Sequence, residues 1–317
     1  MRSSTEKYIQ TVRGPVQPDL LGLTLPHEHL FTDLRGPQTT GYAQASPEEV
    51  AAAMLPYLQA AHNAGVSAIV ECSTVGVGRN VTILEHLAQA TPIHVIAPTG
   101  MYREGFIPEA LIRLDVEELA GLWVRDLTEG IEGTRVRAGF IKIAMSDDGP
   151  TALERRNLKA AAMASQETGA VIASHTASGA VARREMDILE ASGLSLERFI
   201  WVHANLEPDR ALHLAAARRG AIVEFDAVGA AWQDEEAMLE ATMSLIKAGL
   251  VEQLLLSHDA GWYQPGNPGG QPESGFRGYT SLLENFLPQL RARGATDSIL
   301  QQITVSNPAR VFAFGQG

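Results

Sequence analysis

Six residues of this chain have side chains suited to one chemistry. His27, His29, Lys142, His175, His203 and Asp259 each stand at or just past the C-terminal end of a short apolar run. Four imidazoles, an amine and a carboxylate delivered by separate strands are the donor set a two-metal hydrolytic centre needs. His27 and His29 flank Glu28 directly after GLTLP, and alternate residues of an extended segment face the same way, so both rings can reach one ion. Lys142 lies in AGFIKIA, where an ammonium among Phe140, Ile141 and Ile143 is costly to desolvate without a partner. Imidazole and carboxylate suit zinc, manganese, iron or cobalt, and the lack of clustered thiolates excludes a structural zinc knot.

Two divalent ions sharing a hydroxide make a nucleophile near neutral pH and polarise a carbonyl or phosphoryl oxygen. In this donor set His27, His29 and Asp259 would hold the more buried ion, and His175 with His203 the more exposed one. Lys142 can join only in altered form. A protonated amine is no ligand, whereas carbamylation by carbon dioxide gives a carboxylate-like group with one oxygen for each ion. Asp259 is also a candidate proton acceptor during attack.

The elements that must position these residues are legible as eight apolar runs: 22–27, 66–72, 93–99, 138–144, 170–175, 198–203, 221–226 and 253–258. Segments of helical character separate them, such as PEEVAAAMLPYLQAAHNAG, with Ser46 as cap, Gly65 as terminator and a kink expected at Pro56, and LERRNLKAAAMASQETG, ending at Gly169. Alternating strand and helix argues for parallel units, and eight of them close into an α/β architecture, the (β/α)8 TIM barrel, whose chemistry sits at the C-terminal ends of the strands. An open doubly wound sheet would gather ligands at one switch point, not from strands one, four, five, six and eight. No composition break marks a second domain, so residues 1–317 read as a single barrel domain. Segment 261–278 reads as a long loop over the site.

Composition limits the alternatives. A chain of 317 residues, 45% hydrophobic and 20% charged, has enough apolar material for a substantial core. Its formal charge of −12 includes no Lys/Arg cluster of the kind that tracks nucleic acid. No apolar run approaches the ~20 residues of a membrane span, the start MRSSTEKYIQ has no signal-peptide core, and the one cysteine, Cys72, excludes an intrachain disulfide and reads as a buried core thiol. The expectation is a cytoplasmic protein with a small-molecule substrate and neither a nucleic-acid nor a membrane partner.

Taken together, PHEHL, STVGVGRN after the second strand, AGFIKIA, SHTA around His175, the VH of the sixth strand, SHDAGW and SNPARVF resemble the phosphotriesterase family of the amidohydrolase superfamily, from about Gly14 to Phe314. The resemblance implies that His27, His29, a carbamylated Lys142, His175, His203 and Asp259 bind two divalent ions, zinc before manganese, cobalt or iron. It also implies a homodimer and a hydrolase that is most readily a lactonase or esterase with promiscuous phosphotriesterase activity. Alternatives are a dedicated organophosphate phosphotriesterase, an N-acyl amide hydrolase and a non-catalytic ligand-binding barrel. Tyr102 matches a pocket tyrosine of the lactonase branch, while Ala227-Val228 stands where acyl-homoserine lactone hydrolases commonly carry Arg-Tyr. Tyr102, Asp259 and Lys142 are the expected catalytic residues, and Tyr102, Trp262, Tyr263 and Arg277 the expected substrate contacts. Glu71 is a candidate partner for a ligand, Glu28 is read as stabilising the barrel, and His258 as pointing away from the metal face.

Overall fold

The computed structural model describes residues 7–315. A short N-terminal hairpin, Ile9–Thr11 with Gly14–Val16, precedes the barrel. The barrel strands are β1 (Thr24–Phe31), β2 (Ala68–Glu71), β3 (His94–Ile96, continuing as Pro98–Met101), β4 (Phe140–Ala144), β5 (Ile172–His175), β6 (Phe199–Val202), β7 (Ile222–Phe225) and β8 (Leu254–Leu256). Neighbours pair in parallel in chain order from β1 through β3 and again from β3 through β8. Between them run α1 (Pro47–Asn63), α2 (Val81–Ala90), α3 (Val116–Thr128), α4 (Ala152–Thr168), α5 (Gly179–Ala191), α6 (Arg210–Arg218) and α7 (Glu235–Lys247). The eight strand candidates and the parallel barrel read from the sequence are therefore present.

The two-residue period of the strands sorts side chains into two cores. Ala68, Val70, Phe140, Ala173, Ile200, Val202, Ile222 and Leu255 fill the barrel interior with Ile9 and Phe312. Ile69, Ile141, Ile143, Ile172, Trp201, Val223, Phe225, Leu254 and Leu256 face the helices. Lys142 follows Phe140 by two residues and His175 follows Ala173 by two, so both rise on the interior face towards the strand ends.

The helix ends carry their own chemistry. Ser46 caps α1 through Glu49 N–H, and Asn80 caps α2 through Ile83 N–H. Gly169 ends α4 at φ 84, a conformation that favours glycine. Pro56 does not interrupt α1, which continues to Asn63. The capping box of α4 reaches the site: Glu154 accepts from Thr151 N–H and also from Ser146 N–H, Ser146 Oγ and Glu104 N–H, fixing the loops that follow β4 and β3. One expectation needs correction. The segment after β8 is not loop throughout, because Gly261–Tyr263 forms a short strand paired in parallel with the end of β1. No helix among the described residues is long and apolar enough to cross a membrane.

Candidate metal centre

The six expected donors meet around one cavity of about 150 Å3, together with Thr32, Leu34, Cys72, Val77, Tyr102 and Trp262. The imidazoles form an arc, with ring centroids 5.5 Å apart for His29 and His27, 5.0 Å for His27 and His203, and 4.3 Å for His203 and His175. Asp259 Oδ1 lies 3.0 Å from His29 Nε2 and 3.5 Å from His27 Nε2, and these three residues offer donor atoms close enough together to hold an ion. A second group, His27, His203 and Asp226, is equally compact.

Local backbone features aim the donors. Leu25 belongs to the helix-side core, yet His27 and His29 line the cavity, and an irregularity in the β1–β2 register between Leu25 and Glu28 makes that change of face. His203 directly follows inward-facing Val202, so regular alternation would turn it away; its left-handed φ of 62 brings it back. Among the described residues five non-glycines have positive φ, and three of them, His203, Asp259 and Trp262, line this cavity. Such backbone concentrates where a site over-determines it.

Outer contacts settle which ring nitrogen faces inward. His27 Nδ1 donates to Glu224 Oε1 at 2.8 Å and lies 3.3 Å from Asp226 Oδ2. His203 Nδ1 donates to Asp226 Oδ1 at 2.8 Å, and His203 N–H donates to Asp226 Oδ2 at 2.8 Å. Asp226 thus binds the back of two rings and frees each Nε2 for the cavity, the usual carboxylate–histidine–metal arrangement, so it supports donors more readily than it acts as one. His29 Nδ1 pairs with Ser73 Oγ at 2.7 Å, with Glu71 Oε1 at 3.6 Å.

The electrostatics favour cations. Burial drives His27 down to about 3, helped by the charge of Lys142. Burial likewise lowers His175 well below its ordinary range, with His203 and Lys142 adding to the effect. For His29 burial acts downward too, but hydrogen bonds with Asp259 and Glu71 prevail and hold it near 9. Burial alone would raise Asp259; its hydrogen bond with His29 and the nearby imidazoles keep it ionised far below the usual carboxylate range. Lys142 Nζ, buried among these groups, has no hydrogen-bond partner. Unprotonated rings at His27 and His175, an ionised Asp259 and an unpartnered amine fit a pair of divalent ions, whose binding would displace the proton that Asp259 and Glu71 hold on His29.

A phosphotriesterase family model matches residues 7–312. The chain belongs to the phosphotriesterase family. A phosphotriesterase homology protein of Escherichia coli K12 is 30% identical over 296 residues, covering 93% of this chain and 99% of that protein. Organophosphorus hydrolase from Deinococcus radiodurans superposes with a TM-score of 0.89 at 30% identity, covering 98% of both chains. A mutant of a phosphotriesterase-like lactonase from the same organism superposes at 0.87 with 31% identity, covering 96% of this chain and 99% of that one. Family membership and the clustered donors make this phosphotriesterase-family chain a metal-dependent hydrolase.

Of the expected substrate contacts, Tyr102 and Trp262 line the cavity. Tyr102 Oη lies 3.4 Å from both ring nitrogens of His175, and burial pushes its hydroxyl up to about 12. Tyr263 does not line it, but is buried and stacks on Phe31 with centroids 6.1 Å apart. Arg277 does not line it either; it donates to the carbonyls of Asp259, Val228 and His258. Asp226, Glu224, Ser73 and Glu185 escaped the sequence reading. Asp226 left one signal, ending an apolar strand as the donors end theirs.

Proposed function

We propose that this chain hydrolyses compact, uncharged lactones or related esters, with weaker action on phosphotriesters, at a binuclear centre of His27, His29, carbamylated Lys142, His175, His203 and Asp259. The cavity carries the reading. Beyond the donors its walls add Thr32, Leu34, Cys72, Val77, Tyr102 and Trp262, and none of these offers an ionised group to a charged substrate. Arg277, the nearest candidate for an anionic tail, directs its guanidinium at three main-chain carbonyls, which disfavours N-acyl substrates with acidic tails. The names of the similar structures, a phosphotriesterase-like lactonase and an organophosphorus hydrolase, support the same pair of ester chemistries.

Bound divalent ions, zinc in the first instance, would supply an activated water and polarise the oxygen of the scissile carbonyl. His27, His29 and Asp259 would hold one ion and His175 with His203 the other, with the Lys142 carbamate between them. Asp259, ionised and partly open to the cavity, is suited to receive a proton during attack. Tyr102 keeps its proton at neutral pH and is placed to donate a hydrogen bond towards a bound substrate oxygen. Leu34, Val77 and Trp262 would pack against the apolar part of the substrate and exclude water. The reading also takes the protein as a homodimer, following the family resemblance, and keeps the cytoplasmic location expected from its sequence.

Metal analysis of protein prepared with bicarbonate, followed on the same sample by a panel of lactones, aryl esters and one phosphotriester, tests the proposal. Uptake of about two ions per chain with lactone turnover above phosphotriester turnover is the expected result. Folded protein that takes up no metal overturns the centre, and a phosphotriester rate above every lactone rate overturns the substrate class.

A further inference from the structure

Glu28 and His258 lie behind the candidate ligands without lining the cavity. Glu28 is fully buried on β1 between His27 and His29 and faces β8. Its Oε1 accepts from Ser257 Oγ at 2.8 Å, His258 N–H at 3.1 Å and His258 Nδ1 at 2.5 Å, and its Oε2 accepts from Ala260 N–H at 3.0 Å. These donors bracket Asp259 in the chain. His258 Nε2 accepts from Leu282 N–H at 2.9 Å, so the ring proton sits on Nδ1 and points at Glu28. Ser257 Oγ completes the circuit by accepting from His27 N–H at 3.0 Å.

This circuit occupies the seam where the barrel closes. β1 and β8 form no regular ladder; ahead of the short pairing of Gly261–Tyr263 with the end of β1, Asp259 N–H to His27 O at 3.1 Å and His29 N–H to Ala260 O at 3.0 Å join the two sides. Asp259 must meanwhile hold φ at 50, a conformation an aspartate keeps only where its surroundings fix it. We propose that Glu28 and His258 are positioning residues for Asp259: the carboxylate gathers the residues on either side of it, and the histidine holds that carboxylate in place through its Nδ1 proton, Leu282 N–H on Nε2 serving only to set the tautomer. The proposal rests on the metal-centre reading, since Asp259 is positioned towards His27 and His29 for a shared ion.

Two substitutions at one position separate this role from simple anchoring. In His258→Asn the amide nitrogen falls near the place of Nδ1 and still donates to Glu28, but nothing accepts from Leu282. In His258→Gln the amide reaches the place of Nε2 and meets Leu282, while the donor to Glu28 is lost. Zinc affinity is read by competition with a chromophoric chelator in bicarbonate buffer, with melting temperature and the separate values of kcat and KM. We expect His258→Asn to bind zinc within about threefold of wild type and His258→Gln to bind about 10–100-fold more weakly, with kcat reduced more than KM is raised. Equal affinities in all three proteins overturn the proposal, as does the reverse ranking or a loss that merely follows melting temperature in both variants. If His258→Gln does not fold, Glu28→Gln turns an amide NH2 on Ala260 N–H and keeps the acceptor for Ser257 and His258, leaving His27 N–H and Leu282 bonded as before: weaker zinc binding supports the proposal, wild-type binding overturns it. Wild-type protein that binds no zinc defeats the metal-centre reading and this proposal together, whereas normal wild-type binding with unaffected variants defeats this proposal alone.

Discussion

Asp226→Asn tests the centre through a residue that would touch neither substrate nor ion. The carboxylate oxygens of Asp226 meet two donors of one residue, His203 Nδ1 and His203 N–H, both at 2.8 Å, and both groups are buried. An asparagine of the same shape has one acceptor for those two donors. If its oxygen faces the ring, its NH2 confronts the main-chain N–H, leaving a buried donor unsatisfied at a cost of about 1–3 kcal/mol. If its oxygen faces the main chain, its NH2 confronts Nδ1, the ring proton moves to Nε2, and the nitrogen facing the cavity no longer offers a lone pair. Either way a charge-assisted bond of about 1.5–3 kcal/mol is lost, which corresponds to about 10–150-fold in affinity. Chelator competition should show that loss chiefly for the ion assigned by the proposal to His175 and His203, with turnover falling in parallel and the fold retained by circular dichroism. Metal affinity within about twofold of wild type would refute the reasoning that Asp226 sets the His203 tautomer.

Two further perturbations address the cavity wall and the layer behind it. Tyr102→Phe keeps the ring packing on Phe106 and His175, at 5.3 and 5.2 Å between centroids, so metal content should be unchanged while turnover falls by about 2–13-fold, the worth of one hydrogen bond of about 0.5–1.5 kcal/mol; loss of metal would refute it. Burial raises Glu185 from 4.5 to about 8, so the native state keeps a proton that the unfolded chain releases, and this contribution to stability is lost as pH rises through that window. Urea unfolding should show Glu185→Gln removing up to about 1.4 kcal/mol per pH unit of that decline, and parallel wild-type and variant profiles would count against it.

Most of the barrel was legible because its strands are short apolar runs cut off by chemistry-bearing residues, and a run such as AVIASH states both its core face and its catalytic end. The donor types and their strand-end placement were legible for the same reason. What escaped depends on backbone detail that alternation does not encode. Pure period-two reading puts Leu25 on one face with His27 and His29, whereas the register break beyond Leu25 separates them. It also turns His203 away from Val202's face, and only the left-handed φ returns it. Arg277 shows a different limit: a cation in a Gly/Pro-rich loop reads as a substrate anchor, but the end of β8 leaves three carbonyls that need donors, and the guanidinium fork meets them. Nothing local in FRG distinguishes those uses.

The acids behind the donors explain why this barrel end is suited to divalent cations more than to a substrate charge. Glu28, Glu71, Glu185, Glu224 and Asp226 are all buried, while Lys142 is the buried amine among them, and among the described residues no arginine is fully buried. Each acid holds a strand end: Glu28 holds the residues around Asp259, Glu185 contacts the hydroxyls of Ser174 and Thr176 on either side of His175, and Asp226 holds His203. The hydrogen bonds and imidazoles around Asp226 and Asp259 keep these two carboxylates ionised, which loads a low-dielectric region with negative charge, while burial pushes Glu224 and Glu185 upward towards their neutral forms. Carbamylation of Lys142 would exchange the buried positive charge for a negative one, making the imbalance larger. Two divalent ions held by these donors would offset it, so the polar scaffold that positions the donors would also supply the field that retains the ions.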